Sequence, residues 1–165
     1  MSRRSRRRAA FRTGLYLSHV PAVPKLDLRV EAVMDDQSTT RSLLGQFTYY
    51  EGQVPHGYTN KGQIFGDWMG REAKGGQAWA TWHLSGNEWI QASYRNQKAA
   101  RDFIAGGTTL NDVSAQVVKR FGKDLELKGN FTYEDYLAPI YLSGKRSVTN
   151  TSFQLTWYPT RKISF

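Results

Sequence analysis

From residue 25 onward the chain alternates apolar and polar side chains in segments of roughly ten residues, each bounded by Gly, Pro, Asn, Asp or Ser. A period of two places successive side chains on opposite faces of an extended strand, so this pattern restricts the chain to an all-β fold. "KLDLRVEAVM" is the cleanest case, with Leu26, Leu28, Val30, Ala32 and Met34 opposite Asp27, Arg29 and Glu31. "SLLGQFTYY", "IFGDWMGRE", "QAWATWHL", "EWIQASYRNQ", "DVSAQVVKR", "LELKGNFTYE" and "TSFQLTWYP" follow the same rule, although Gly66 and Gly70 weaken the second of these. The pattern predicts an antiparallel meander of about 8–9 long strands, "FRTGLYLSH" supplying the ninth. "SGN" reads as the turn of a hairpin between "QAWATWHL" and "EWIQASYRNQ".

Alternation has two solutions: the apolar face points into a soluble core, or outward into lipid. Three features favour lipid. The segments approach the roughly 9 to 11 residues that a tilted strand needs to cross a bilayer, against about 5 to 6 for an ordinary soluble strand. Tyr49, Trp68, Trp82, Tyr94, Tyr133 and Trp157 all fall in the apolar set, often near strand ends, where interfacial girdles form. Connections also alternate in length, with tight "SGN" and "FGKD" against long "KAARDFIAGGTTL" and "DYLAPIYLSGKRS", as in barrels with short periplasmic turns and long outer loops. Parity then puts loops 98–110 and 135–147 outside. The tract 51–63 falls on the periplasmic side by the same count, unless a strand has been missed before it. Phe165 supplies a terminal aromatic, but Pro159 interrupts the alternation ahead of it.

Formal net charge is +9, of which Arg3, Arg4, Arg6, Arg7, Arg8 and Arg12 supply six. The basicity is therefore a tail, and the chain divides into a disordered basic start at 1–12 and a β-barrel portion at 13–165. Such an arm could bind nucleic acid or anionic lipid through counterion release, which needs no fold. Cysteine is absent, which removes disulfides, thiolate catalysis and thiolate metal sites. No apolar run reaches the roughly 18 residues of a spanning helix, and no signal-peptide core follows the arginines.

Catalytic patterns are weak. His19, His56 and His83 lack metal-ligand spacing. "GYTNKGQI" places Gln63 where a phosphate loop requires lysine. Asp35 with Asp36, and Glu134 with Asp135, are carboxylate pairs at strand ends, where turn and rim residues belong. No serine has an evident histidine and acid partner.

"GDWMGREAKGGQAW", "DFIAGG" followed by "NDVS", and the final "NTSFQLTWYP" are long tracts by which the chain, over about residues 11–159, resembles the C-terminal part of the capsule-assembly Wzi family. The resemblance implies an outer-membrane β-barrel of about eighteen strands with a helical segment near its periplasmic end. It implies a non-enzymatic surface lectin that holds exported capsular polysaccharide on the cell, with no cofactor. On that footing the chain is the C-terminal half of an outer-membrane β-barrel. The N-terminal half, the helical segment and the signal peptide are then missing partners of this piece. Outer-membrane lipid is the expected surround, and nucleic acid is not an expected partner.

Two groups of candidate residues follow. In the outer loops, Arg101, Asp102, Tyr136, Tyr141, Lys145 and Arg146 combine aromatic faces that pack on sugar rings with cations suited to acidic sugars. On the polar face, Asp67, Arg71, Arg95, Asp112, Arg120 and Glu126 are placed to form a lumen network of opposed charges. A porin-like channel fragment and a soluble basic β-domain binding nucleic acid are the rival readings.

Overall fold

The computed structural model describes residues 10–35, 59–60, 63–64, 68–69, 73–101 and 104–159. Among them are nine strands: β1 (Phe11–Leu17), β2 (Leu26–Met34), β3 (Thr59–Asn60), β4 (Gln63–Ile64), β5 (Ala73–Ser85), β6 (Glu88–Ala99), β7 (Thr108–Phe121), β8 (Leu125–Leu137) and β9 (Lys145–Trp157). Seven form one antiparallel sheet in the order β1-β2-β5-β6-β7-β8-β9, and β3 pairs with β4 in a hairpin of two residues a side. Every neighbour in the large sheet is antiparallel. The fold is thus the all-β meander that the alternation demands, with seven long strands in place of eight or nine.

The difference lies between β2 and β5, which pair directly from Leu26↔Trp82 to Met34↔Lys74. Of "IFGDWMGRE", Ile64 belongs to the small hairpin and Trp68–Met69 to a turn, and the remaining residues lie outside the described residues. Gly66 and Gly70 flank that turn in sequence, as expected where strand propensity is low. "SLLGQFTYY" lies outside the described residues. The consequence for sidedness is direct. The connection from Met34 to Ala73 leaves and rejoins the sheet at the end where the 100–107 and 138–144 connections lie. The parity that put 51–63 on the tight-turn side therefore fails.

β5 to β9 are longer than the roughly ten residues of the alternating segments, from 12 residues in β6 to 14 in β7, while β1 has 7 and β2 has 9. At about 3.4 Å per residue β5 to β9 rise beyond what a hydrocarbon core requires, and their ends carry the connections clear of it. β1 begins at Phe11, so Arg12, which composition groups with the basic tail, stands in the sheet and pairs with Glu31 across it at 2.9 Å.

Register assigns every side chain to a face. Leu28, Ala80, Ala92, Ala115 and Phe131 form one row of the apolar face. Arg29, Trp79, Ser93, Ser114, Thr132 and Asn150 form a row of the other. Burial is inverted relative to a soluble sheet. Val30 is 51% exposed, Val113 50% and Phe153 76%, whereas Glu31 is 8% exposed, Asp112 7% and Glu126 4%. Acids are almost never the most buried side chains unless they are paired, and here they are.

The apolar band also crosses the register rows on a slant. On β1 and β2 it reaches the row of Phe11 and Met34; on β9 that part of the register holds Lys145, Ser147 and Thr149, and the band drops to Phe153, Leu155 and Trp157. A band level with a membrane cuts rows obliquely when the strands are tilted, as they are in a barrel. Trp82, Tyr94, Tyr133 and Trp157 lie on this exposed face, as the girdle reading requires. Trp68 does not. It packs on the small buried cluster of Val33, Met69 and Ala73, with the Arg95 guanidinium 5.8 Å from its ring centre. Tyr49 lies outside the described residues.

Candidate functional site

The polar face is organised around acids. Arg12 and Arg29 both donate to Glu31, and Arg29 also lies 4.8 Å above the Trp79 ring. Two strands on, Arg95 pairs with Asp112 directly across the β6–β7 ladder. Towards the tight turns, Arg120 donates to Glu126 at 2.9 Å, and Lys128 approaches its other oxygen at 3.3 Å. Cross-strand opposition of unlike charges on one face is what period two supplies once the register is set. Of the charges expected to form this network, Arg95, Asp112, Arg120 and Glu126 sit on the polar face in ion pairs, while Asp67 and Arg71 lie outside the described residues.

Asp27 is the node at the tight-turn end. It accepts from Tyr16 Oη at 2.9 Å and from the His19 backbone N–H at 2.9 Å, and His83 Nε2 stands 2.9 Å from the same oxygen as Tyr16. His19 holds a φ of 60°, a left-handed conformation that aims its N–H at the carboxylate. Tyr16, Asp27, Arg29, Trp79, Thr81, His83 and Gln91 line a hollow of about 690 Å³ here. Three groups thus converge on one acid, an arrangement that ties β1, β2 and β5 together.

The loop end differs. Gln97, Leu110, Tyr136 and Arg146 fall in a single row of the polar face, and Gln97 donates to the Met69 carbonyl at 2.7 Å. A second hollow, of about 410 Å³, is lined by Gln97, Thr108, Leu110, Glu134, Tyr136 and Val148 among others. Above it the two loops meet, because a Cβ on Gly106 would come within 3.1 Å of the Pro139 ring. Gly106 has a φ of 84°, which suits glycine alone.

The outer-loop residues singled out in the sequence do not converge on one point. Tyr136 lines the hollow, and Arg146 opposes it across β8 and β9 on the same face. Tyr141 stands on the loop, 80% exposed. Arg101 is exposed, with its stem along Gly107. Lys145 points to the opposite, apolar-parity face and pairs with Asp135. Asp102 lies outside the described residues. The hollow also contains Gln97 and Thr108, which adjacency along the chain could not connect to Tyr136; the signal is parity combined with the β6–β7–β8 register.

A sheet whose acids are buried in ion pairs on one face and whose large apolar residues are exposed on the other has the build of a transmembrane β-barrel wall. Among the described residues no helix is long and apolar enough to cross a membrane. The family profile for capsule assembly protein Wzi matches residues 2–151, and the chain belongs to that outer-membrane capsule-assembly family. Comparison with curated proteins and with solved structures yields no match.

Proposed function

We propose that this chain holds exported, acidic capsular polysaccharide at the outer face of the outer membrane by non-covalent binding at the loop end of its sheet. The observation that carries the reading is the hollow at that end, where Tyr136 offers a ring face, Gln97, Thr108 and Glu134 offer hydrogen-bonding groups, and Arg146 stands opposite Tyr136. Aromatic faces with convergent polar groups suit a pyranose ring, and a cation beside them suits a uronic acid. Tyr141 and Arg101 extend the same surface outward from the sheet. Glu31, Asp112 and Glu126 are committed to arginines, and Asp27 to Tyr16, His19 and His83, which supports binding without chemistry on the sugar. The Trp68–Met69 turn packs over Ala73 and takes the Gln97 hydrogen bond, which supports a filled interior over an open pore. Strands that cover the outer edges of β1 and β9 complete the wall.

Binding of purified acidic capsular polysaccharide to the full-length protein in detergent tests this. Tyr136→Ala and Arg146→Ala should each weaken binding on the order of tenfold, the effect of one lost anchor contact. Undiminished binding by both variants, with the barrel folded, would refute this assignment of the site.

A further inference from the structure

Lys74 and Lys98 are direct cross-strand partners on β5 and β6, in a row with Thr109, Leu137 and Lys145. Their parity is that of Ala78, Ala80, Ala92 and Tyr94, so they belong to the lipid-facing side, beyond its last apolar residues on these strands. Ala78 and Lys74 are four residues apart, about 13 Å along the strand, which carries the ammonium groups from the hydrocarbon edge to headgroup level. Met34, the neighbour of Lys74 on β2, is still apolar and 41% exposed, so the lysines sit at the rim of the band.

Like charges directly opposite each other on a sheet are destabilising. Both lysines are exposed and, among the described residues, neither makes an ion pair. The other rim differs: Lys119, with the same outward parity at the tight-turn end, is neutralised by Glu88 at 3.0 Å. Lys145, further round the loop-end rim, is matched to Asp135. Among the described strand residues, unbalanced outward charge is thus concentrated at Lys74 and Lys98, at the loop-side rim.

We infer that Lys74 and Lys98 together clamp the phosphate of a phosphorylated glycolipid headgroup in the outer leaflet. The inference rests on the reading that the loop end faces outward, and is independent of sugar binding. An anion between the two ammonium groups removes their repulsion, and its acyl chains lie along Ala78, Tyr94 and Val30 below.

The test uses full-length protein in phosphatidylcholine nanodiscs titrated with fluorescent bisphosphorylated lipid A. The K74Q/K98Q variant should bind about thirtyfold more weakly, from roughly fivefold per lysine at a membrane surface. K74R/K98R should retain binding, and K119Q should match wild type. Lipid A stripped of its phosphates should not distinguish wild type from K74Q/K98Q. Equal lipid A affinity of the wild type and K74Q/K98Q overturns the inference. So does inorganic phosphate binding wild type as tightly as lipid A, which would mark a soluble-anion site. In phosphatidylcholine alone K74Q/K98Q should be at least as stable as wild type. A loss of stability there would show that the pair is already satisfied within the protein, and would also overturn it. Polysaccharide binding by K74Q/K98Q should be unchanged, so failure of the lectin reading leaves the lipid result readable.

Discussion

Gly75 shows how a single residue is chosen by the sheet around it. Its Cα lies so close to β6 that an added Cβ would fall 2.1 Å from the Asn96 carbonyl oxygen, a backbone atom that cannot swing aside. Overpacking in a tight site costs about 1–3 kcal/mol where side chains can yield, so Gly75→Ala should cost at least the upper figure and loosen the β5–β6 pairing. Gly86, in the turn of the same hairpin, has open space where its Cβ would be. Gly86→Ala should therefore change stability by less than about 0.5 kcal/mol. Urea unfolding of the two variants in lipid vesicles checks the contrast, and equal midpoints would mean that β5 and β6 are not so close at Gly75. Nothing in the tract "AKGGQAW" distinguishes this glycine from Gly76, whose Cβ would meet the Glu31 carbonyl at 3.2 Å. Only the three-dimensional approach does.

At the scale of elements, period two was enough to read the strands and their faces from "KLDLRVEAVM" and from "QAWATWHL" onward, because each face has one kind of neighbour. It could not read which strands pair across a long connection. "IFGDWMGRE" carries Ile64 and Trp68 at apolar parity, yet tertiary packing draws Trp68 to the polar face beside Arg95, where the ring covers Ala73 and Val33. The candidate site is legible to the same degree: residue type singles out Tyr136 and Arg146, while the grouping of Tyr136 with Gln97 and Thr108 depends on register. Direct β2–β5 pairing has a clean test, since the chain has no cysteine. Val30 and Ala78 are register partners, at the roughly 4.5–5.5 Å Cα separation of an antiparallel pair, within disulfide reach. Val30→Cys with Ala78→Cys should cross-link on oxidation, and Val30→Cys with Tyr94→Cys, one strand further, should not. Cross-linking of the second pair alone would mean that the β2–β5 ladder is wrong.

For the whole molecule, the decisive property is inversion. A soluble protein rarely exposes more than a few hundred Å² of contiguous apolar surface, yet here Leu15, Val30, Ile90, Val113, Phe131, Phe153 and Leu155 lie exposed on one continuous face. That face is stable only against hydrocarbon, and the opposite face, with Glu31, Asp112 and Glu126 buried in ion pairs, only against water or further protein. The tryptophans divide accordingly. Trp82 and Trp157 have outward parity and are 42% and 69% exposed, while Trp79 lies under Arg29 and Trp89 lines a polar-face hollow with Lys128 and Gln154. In phospholipid vesicles with brominated acyl chains, single-tryptophan variants retaining Trp82 or Trp157 should be strongly quenched, and those retaining Trp79 or Trp89 should fluoresce almost as in unbrominated lipid. A soluble domain with a basic arm predicts no quenching at any of the four, because its apolar face would never meet acyl chains. Quenching at Trp79 and Trp89 in place of Trp82 and Trp157 would turn the sheet over, carrying the enclosed hollow to the lipid and removing the basis for a sugar site at Tyr136.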